Sequence, residues 1–463
     1  MALPSDVCNS KRHIWKGEPM CNERILPDSW QVMVAALCSV LHQRSAWRLA
    51  VIFAGIIFAK GRKTVTSWFR AAGISQRYKA FYYFIGSIGR KTEIVATVLF
   101  EIMISLIYKK QQQVLMAIDD GPTKRYGPNV QGAGIHRNPT TTPDGAKFIY
   151  GHLWVTICAV VRHKRWATVG LPFLAKMYIR VKDMDKVPTR YRVAFEDKLQ
   201  QATELVKWAC GCCKRLGKQL WIVTDGGFTK ARFLKPAINM GATIITRLRK
   251  DAALRTLLKP VKKHKRGRPR KYGKRIYLAN KAAEKRGWFS IKVTVYGRKE
   301  TKQVKMFKAT YRPAGGLVLV LIVREAIDSW RAYMCTNLSV TAEQILEVVS
   351  DRMAIEQNFH DLKEIEGAGQ QQVRNYFANV GAFHLNMWVH TLVELWAWGQ
   401  KKSAVCDRSD SPWDDQFRRP SHADKCSRLR QEVLKRTFFE TFGHSRKNRK
   451  IARQFYKLMK LAA

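Results

Sequence analysis

Arg352, Glu356 and Lys363 stand at offsets of four and seven residues. At about 100° per residue those offsets bring all three to nearly the same face of a helix. One carboxylate between two cations stays ionised, because neighbouring positive charge holds it deprotonated. Such a group suits a site visited by phosphates; the same spacing also fits a surface ladder of ion pairs, which is common on helices. Two further acidic positions end apolar runs. Val114 to Asp120 finishes in Asp119-Asp120 before Gly121-Pro122, and Gln219 to Asp225 finishes in Asp225 before Gly226-Gly227. The carboxyl ends of strands are where α/β folds place their chemistry. Asp120, immediately before the turn, is taken as the first acid, although strand alternation alone leaves Asp119 open. Asp120, Asp225 and Glu356 together make an oxygen donor set for a hard cation such as Mg2+, which keeps open positions for substrate phosphates. Two such ions, for which Mn2+ can substitute, polarise an attacking water or 3'-hydroxyl and stabilise the leaving oxygen when about 4 Å apart. No Gly-x-Ser-x-Gly elbow, Walker loop or His-Glu-x-x-His pair offers a rival chemistry.

The elements that must carry these residues follow from periodicity. Thr341 to Gly367 reads as one helix, with a Thr341/Gln344 capping box, a glycine stop and a buried stripe of Ile345, Val348, Ile355, Phe359 and Leu362. Residues 1–28 are irregular. Residues 29–110 are helical and contain a basic turn with Arg62 and Lys63, followed by a short helix bearing Arg70; helix, turn and basic helix is the layout of a helix-turn-helix DNA reader. Residues 111–250 give the order strand, strand, strand, helix, acid-tipped strand, helix, strand, with a long basic loop holding His136 and Arg137 after the first acid. Residues 251–338 are β-rich and include a run without any acid from Ala252 to Ala283. Its centre carries Arg266, Arg268, Arg270 and Lys271, and the Arg-Gly-Arg-Pro core resembles an AT-hook, a form that lies in a narrow minor groove. Residues 339–400 hold the Glu-bearing helix and a long apolar helix, and residues 401–463 a linker and a basic helical tail.

The totals agree with a nucleic-acid partner. Against 35 Asp and Glu the 463 residues carry 83 Lys and Arg, a net +48, which would keep the chain on polyanions. The longest apolar run, Leu49 to Ala59, falls short of the about 20 residues that span a bilayer, so no membrane role is expected. Ten scattered cysteines and no signal-peptide pattern point to reduced thiols and a cytoplasmic setting. Cys210, Cys212 and Cys213 cluster without a second Cys/His pair at zinc-ligand spacing, and are read as structural thiols.

With these residues in hand, the chain resembles bacterial insertion-sequence transposases of the DDE class, in the branch where a β-rich insertion separates the second Asp from the Glu. That branch carries Tyr-x2-Arg-x3-Glu-x6-Lys on the Glu-bearing helix; Arg352, Glu356 and Lys363 match it, while Val349 replaces the tyrosine and Gly121 replaces the usual Thr or Ser after the first Asp. The resemblance implies an α/β, RNase H-like mixed-sheet core with helical N- and C-terminal regions. It also implies cut-and-paste transposition on double-stranded DNA: cleavage at terminal inverted repeats and strand transfer into target DNA by a homodimer, nucleoid-associated when bound. Arg352 and Lys363 would contact phosphates, and Trp330, at the start of the last insertion strand, would stack on a flipped base during hairpin formation. A non-catalytic DNA-binding descendant and a stand-alone metal-dependent nuclease are the alternatives.

Overall fold

The computed structural model describes residues 26–138, 146–258, 272–295, 297–326, 329–409, 411 and 413–461. Arg266, Arg268, Arg270 and Lys271 lie outside the described residues. The chain divides into two compact units, one of Met1–Leu106, Thr123–Ala133 and His360–Ala463, the other of Ile107–Pro122 and Gly134–Phe359.

The first unit is helical. Its N-terminal part runs α1 (Asp28–Cys38), α2 (Gln43–Phe58), α3 (Val65–Ala71), α4 (Tyr78–Ile88) and α5 (Thr92–Ile107). Thr64 caps α3 by accepting from the Ser67 N–H, which satisfies one of the free amides at a helix start. Trp30, Trp68, Phe53 and Phe100 are fully buried and supply the largest apolar area.

The second unit is built on one sheet. Its elements run β1 (Gln113–Lys124), β2 (Gly134–Arg137), β3 (Phe148–His163), β4 (Ala167–Tyr178), α6 (Lys198–Arg215), β5 (Gln219–Thr224), α7 (Ala231–Asn239) and β6 (Thr243–Leu248). Then come β7 (Leu254–Arg255), β8 (Arg275–Ile276), α8 (Leu278–Ala283), β9 (Phe289–Val295), β10 (Arg298–Tyr311), β11 (Gly316–Ala326), β12 (Ser329–Cys335), α9 (Ala342–Asp351) and α10 (Met353–Glu364). Among the described residues the strand order is β2-β3-β1-β5-β6-β12-β11-β10-β7-β8, with β4 on β3 and β9 on β10. β1, β5 and β6 are parallel, β3 and β4 antiparallel. This is the mixed sheet expected of an RNase H-like core. The β-rich segment is continuous with that core, because β12 pairs antiparallel with β6.

One apolar layer of the second unit sets the site's geometry. Ala117, Val223 and Ile245 point from neighbouring core strands into a cluster that also holds Leu321, Val323, Ile345 and Ile355. Strand residues two apart share a face, so this cluster defines the side of the sheet that α9 and α10 cover.

The region expected to be one helix is two. The ladder slips at Arg352: its N–H donates to Val348 O at 3.2 Å, but the Ile355 N–H donates three residues back, to Arg352 O, at 3.0 Å. A switch to the tighter three-residue bond marks a helix end. The expected capping box is present, with Thr341 and Gln344 bonded reciprocally.

Returning to the first unit, its C-terminal part holds α11 (Tyr376–Ala397), α12 (Lys402–Val405), α13 (His422–Phe442) and α14 (Arg446–Leu461). α4 and α11 meet through glycines: a Cβ on Gly89 would run into Phe377 O, and one on Gly381 into Ile85 O. Among the described residues, eight cysteines are all free thiols, and no helix is long and apolar enough to cross a membrane.

Candidate active site

β1 and β5 pair in parallel with Ala117 beside Val223 and Ile118 beside Thr224. The next residues along are Asp119 and Asp225. Both are two residues past a side chain of the α9/α10-facing cluster, so both project toward that face. Asp120, one residue on, projects to the opposite face. There Lys198, the first residue of α6, donates to its Oδ2 at 2.8 Å. β1 does not stop at Asp120 but continues to Lys124, so neither aspartate sits at a strand tip.

Arg352 joins the pieces. Its guanidinium donates to Asp119 Oδ2 at 2.7 Å and to Glu356 Oε1 at 2.7 Å. The helix break described above places Arg352 at the junction of α9 and α10. The residues around that junction are anchored to the sheet: Asp351 accepts from Thr168 and from Arg162, each at 2.6 Å, and Arg162 also reaches Glu347 at 2.6 Å. The packing of α10 on β1 depends on Gly121, where a Cβ would stand 3.1 Å from the Phe359 ring. Gly121 therefore leaves room for Phe359 on the helix that carries Glu356. Val349, in place of the tyrosine, packs against the apolar cluster.

The electrostatics of this face favour a cation. Burial pushes the Asp119 carboxyl up to about 6; Arg352 and the Asp120 N–H oppose that shift, and the charges of Asp120 and Asp225 add to it. Burial works against the Arg352 guanidinium too, yet Asp119, Glu356 and Asp225 together hold its pKa above the ordinary value. Asp119, Asp225 and Glu356 offer oxygen donors only, which fits Mg2+ or Mn2+.

The other candidate residues fall as follows. His136 is buried in β2; burial, aided by Arg180 and Lys198, lowers its pKa to about 4. It lies near the Tyr178 ring, at 6.1 Å, on the Lys198 side rather than with Arg352. Arg137 is exposed. Arg62 and Arg70 are exposed. Lys63, expected beside them at DNA, is buried instead, 3.9 Å from the buried Glu366; an inward carboxylate draws the ammonium in. Trp330 is half-buried, with Lys250 Nζ 5.3 Å from its ring centre. Lys363 is also half-buried; burial and the nearby Lys124 charge lower its pKa, Glu364 opposing.

Sequence reasoning did not single out Lys198 or Arg162, which lie far along the chain from the acids they meet. It also passed over a buried His/Glu/Cys cluster in the first unit, although His390-x3-Glu394 and His422-x3-Cys426 both have one-turn helical spacing.

No curated protein sequence matches the chain. Among solved structures, one similar chain is the piggyBac transposase, in a synaptic complex with hairpin DNA, at 10% identity and a TM-score of 0.39, covering 96% of this chain and 84% of that one. Another is the NurA nuclease of Sulfolobus solfataricus, at 10% identity and a TM-score of 0.23, covering 52% and 72% respectively. Neither likeness bears on the chemistry at such scores. The sequence profile that matches residues 36–310 is that of the DDE superfamily endonucleases. That span is more than half of the 463 residues and contains both aspartate strands, and the chain belongs to the DDE superfamily endonuclease family.

Proposed function

We propose that this endonuclease is a DNA transposase whose acidic triad is Asp119, Asp225 and Glu356. The observation that carries the assignment is Arg352, bonded at once to Asp119 and Glu356 on the face that also receives Asp225. Asp120, chosen from the sequence as the first acid, is reassigned here to an ion pair with Lys198.

The three carboxylates would hold Mg2+, as two ions, with Mn2+ able to substitute; bound there, the metal supplies Lewis acidity and an activated water or 3'-hydroxyl. Arg352 ties Asp119 to Glu356 and opposes the burial that raises the Asp119 carboxyl, and its fork suits a phosphate oxygen. Lys363, with Lys124 near it, forms a second cationic spot suited to phosphate, since burial and the Lys124 charge raise the cost of the Lys363 charge until an anion arrives. Exposed Arg62 and Arg70, with the basic run holding Arg266, Arg268, Arg270 and Lys271, supply the contacts to duplex ends. The reaction is cleavage at terminal inverted repeats followed by strand transfer into target DNA, carried out by a homodimer across two ends. Trp330, with Lys250 beside its ring, would stack on an extruded base.

The test is nicking of a labelled duplex carrying the element's own terminus, in Mg2+ or EDTA, with Asp119→Asn, Asp120→Asn and Glu356→Gln side by side. Metal-dependent nicking at the boundary is expected, abolished in Asp119→Asn and Glu356→Gln and retained in Asp120→Asn, with end binding unchanged in all three. Loss in Asp120→Asn with retention in Asp119→Asn would return Asp120 to the triad. Cutting without preference for inverted-repeat ends would reduce the reading to a nuclease.

A further inference from the structure

The first unit contains a second set of ligand-type side chains, entirely inside it. Glu366 follows α10, His390 and Glu394 lie one turn apart on α11, and His422 and Cys426 lie one turn apart on α13. Their exposures are 1%, 1%, 2%, 4% and 5% in that order. α13 starts at His422 because Ser421 caps it in a reciprocal box with Asp424, and that start fixes the imidazole against both glutamates.

We propose that Glu366 Oε1, His422 Nε2 and Cys426 Sγ form a structural Zn2+ site, separate from the carboxylate triad of the second unit. Three observations converge. First, the three atoms surround one point: Sγ is 3.4 Å from Nε2 and 3.6 Å from Oε1, and Nε2 is 2.8 Å from Oε1. Tetrahedral zinc with bonds of about 2.0 Å to N or O and 2.3 Å to S has edges of about 3.3 to 3.5 Å. Both sulfur edges fit, and the third is a hydrogen-bond length about half an ångström short. Second, the far nitrogen of the same imidazole, Nδ1, faces Glu394 Oε1 at 2.8 Å. A carboxylate on the other ring nitrogen is the usual orienting partner of a metal-bound histidine, and Lys425 pairs with that carboxylate in turn. Third, the His390 ring stacks on His422 at 4.0 Å, so the imidazole is held across its face as well as at Nδ1, as a fixed metal ligand needs.

The mixed N, O, S donor set selects zinc over magnesium, which prefers oxygen alone. On binding, the Cys426 thiol and His422 Nε2 each release a proton to solvent as the metal–sulfur and metal–nitrogen bonds form. One divalent ion replaces two protons, so the charge of the cluster does not change. Lys63, 3.9 Å from the second oxygen of Glu366, leaves Oε1 for the metal.

The experiment uses the full chain, purified without chelator, with metal content measured after dialysis and with Co2+ exchanged in for spectroscopy. About one zinc per chain is expected, retained in Glu356→Gln and Asp119→Asn and lost in Cys426→Ser. Glu394→Gln is expected to weaken zinc binding by about 10- to 100-fold, as for other orienting carboxylates. The Co2+ form is expected to show a thiolate-to-metal charge-transfer band that a carboxylate site cannot produce, absent from Cys426→Ser. A chain that retains no zinc and shows neither that band nor a thermal shift on adding Zn2+ would overturn the proposal, leaving a buried ion-pair cluster. So would zinc that is lost in Glu356→Gln and kept in Cys426→Ser.

Discussion

Two groups of acids in this chain live under opposite rules. Asp119, Asp225 and Glu356 share the second unit with a single bridging cation, Arg352, and the Glu356 side chain is 43% exposed. Glu366 and Glu394, in the first unit, are buried and met by His422, Lys425 and Lys63. The first group is short of positive charge and open to solvent, so a cation can come and go. The second is enclosed and faces fixed cationic partners. Acid content alone does not distinguish a reactive site from a structural one; the number of fixed counter-charges and access to water do.

The sharpest way to break this contrast is a pair of isosteric changes. Glu356→Gln is expected to abolish cleavage while changing stability by no more than about 0.5 kcal/mol, because it removes one exposed i,i+4 pair. Glu394→Gln is expected to cost about 3–5 kcal/mol, because it strands buried partners, while cleavage per folded molecule persists. Chemical denaturation and nicking assays on both variants check this; equal stability losses would erase the distinction.

A smaller effect separates the two groups by pH. Asp119 has a folded pKa raised to about 6 from an unfolded value of about 3.9. The folded chain then binds the extra proton between those values, so this residue's contribution to stability falls as pH rises from about 4 to 6. In EDTA, Asp119→Asn is expected to be more stable than the parent above pH 6, by on the order of 1–3 kcal/mol. Melting curves at pH 4 and pH 8 read this directly; a variant less stable than the parent at pH 8 would show that Arg352 fully compensates the carboxylate. The smallest expected effect is on binding. Lys124→Gln is expected to weaken end binding uniformly across sequences and to lower the slope of log affinity against log salt by about 1, read by titrations at several salt concentrations.

Much of the fold was legible because periodicity is local. The acid-bearing strands, the β-rich run from Trp288 onward and the capping box at Thr341 all follow from short patterns. What escaped depended on distant partners. The break at Arg352 follows from anchors at Arg162 and Thr168, about 185 residues away. The choice between Asp119 and Asp120 needs the register of β1 on β5, because alternation defines two faces but not which one the Glu-bearing helix covers. Lys63 looked like a DNA contact because it sits in a basic turn, and only Glu366, some 300 residues on, turns it inward. The His422/Cys426 pair lay unnoticed for the same reason: one-turn spacing on a helix is common, and its meaning comes from Glu366 and Glu394.

The contact between Gly121 and Phe359 has a consequence for how such a chain can change over time. A Thr or Ser at 121 would press its Cβ against the ring, and a smaller residue at 359 with glycine kept at 121 would leave a void beneath the Glu-bearing helix. Either change alone is penalised, whereas both together restore contact. The two positions form one heritable unit, and descendants of this chain should carry the small residue on the strand with the aromatic on the helix, or neither.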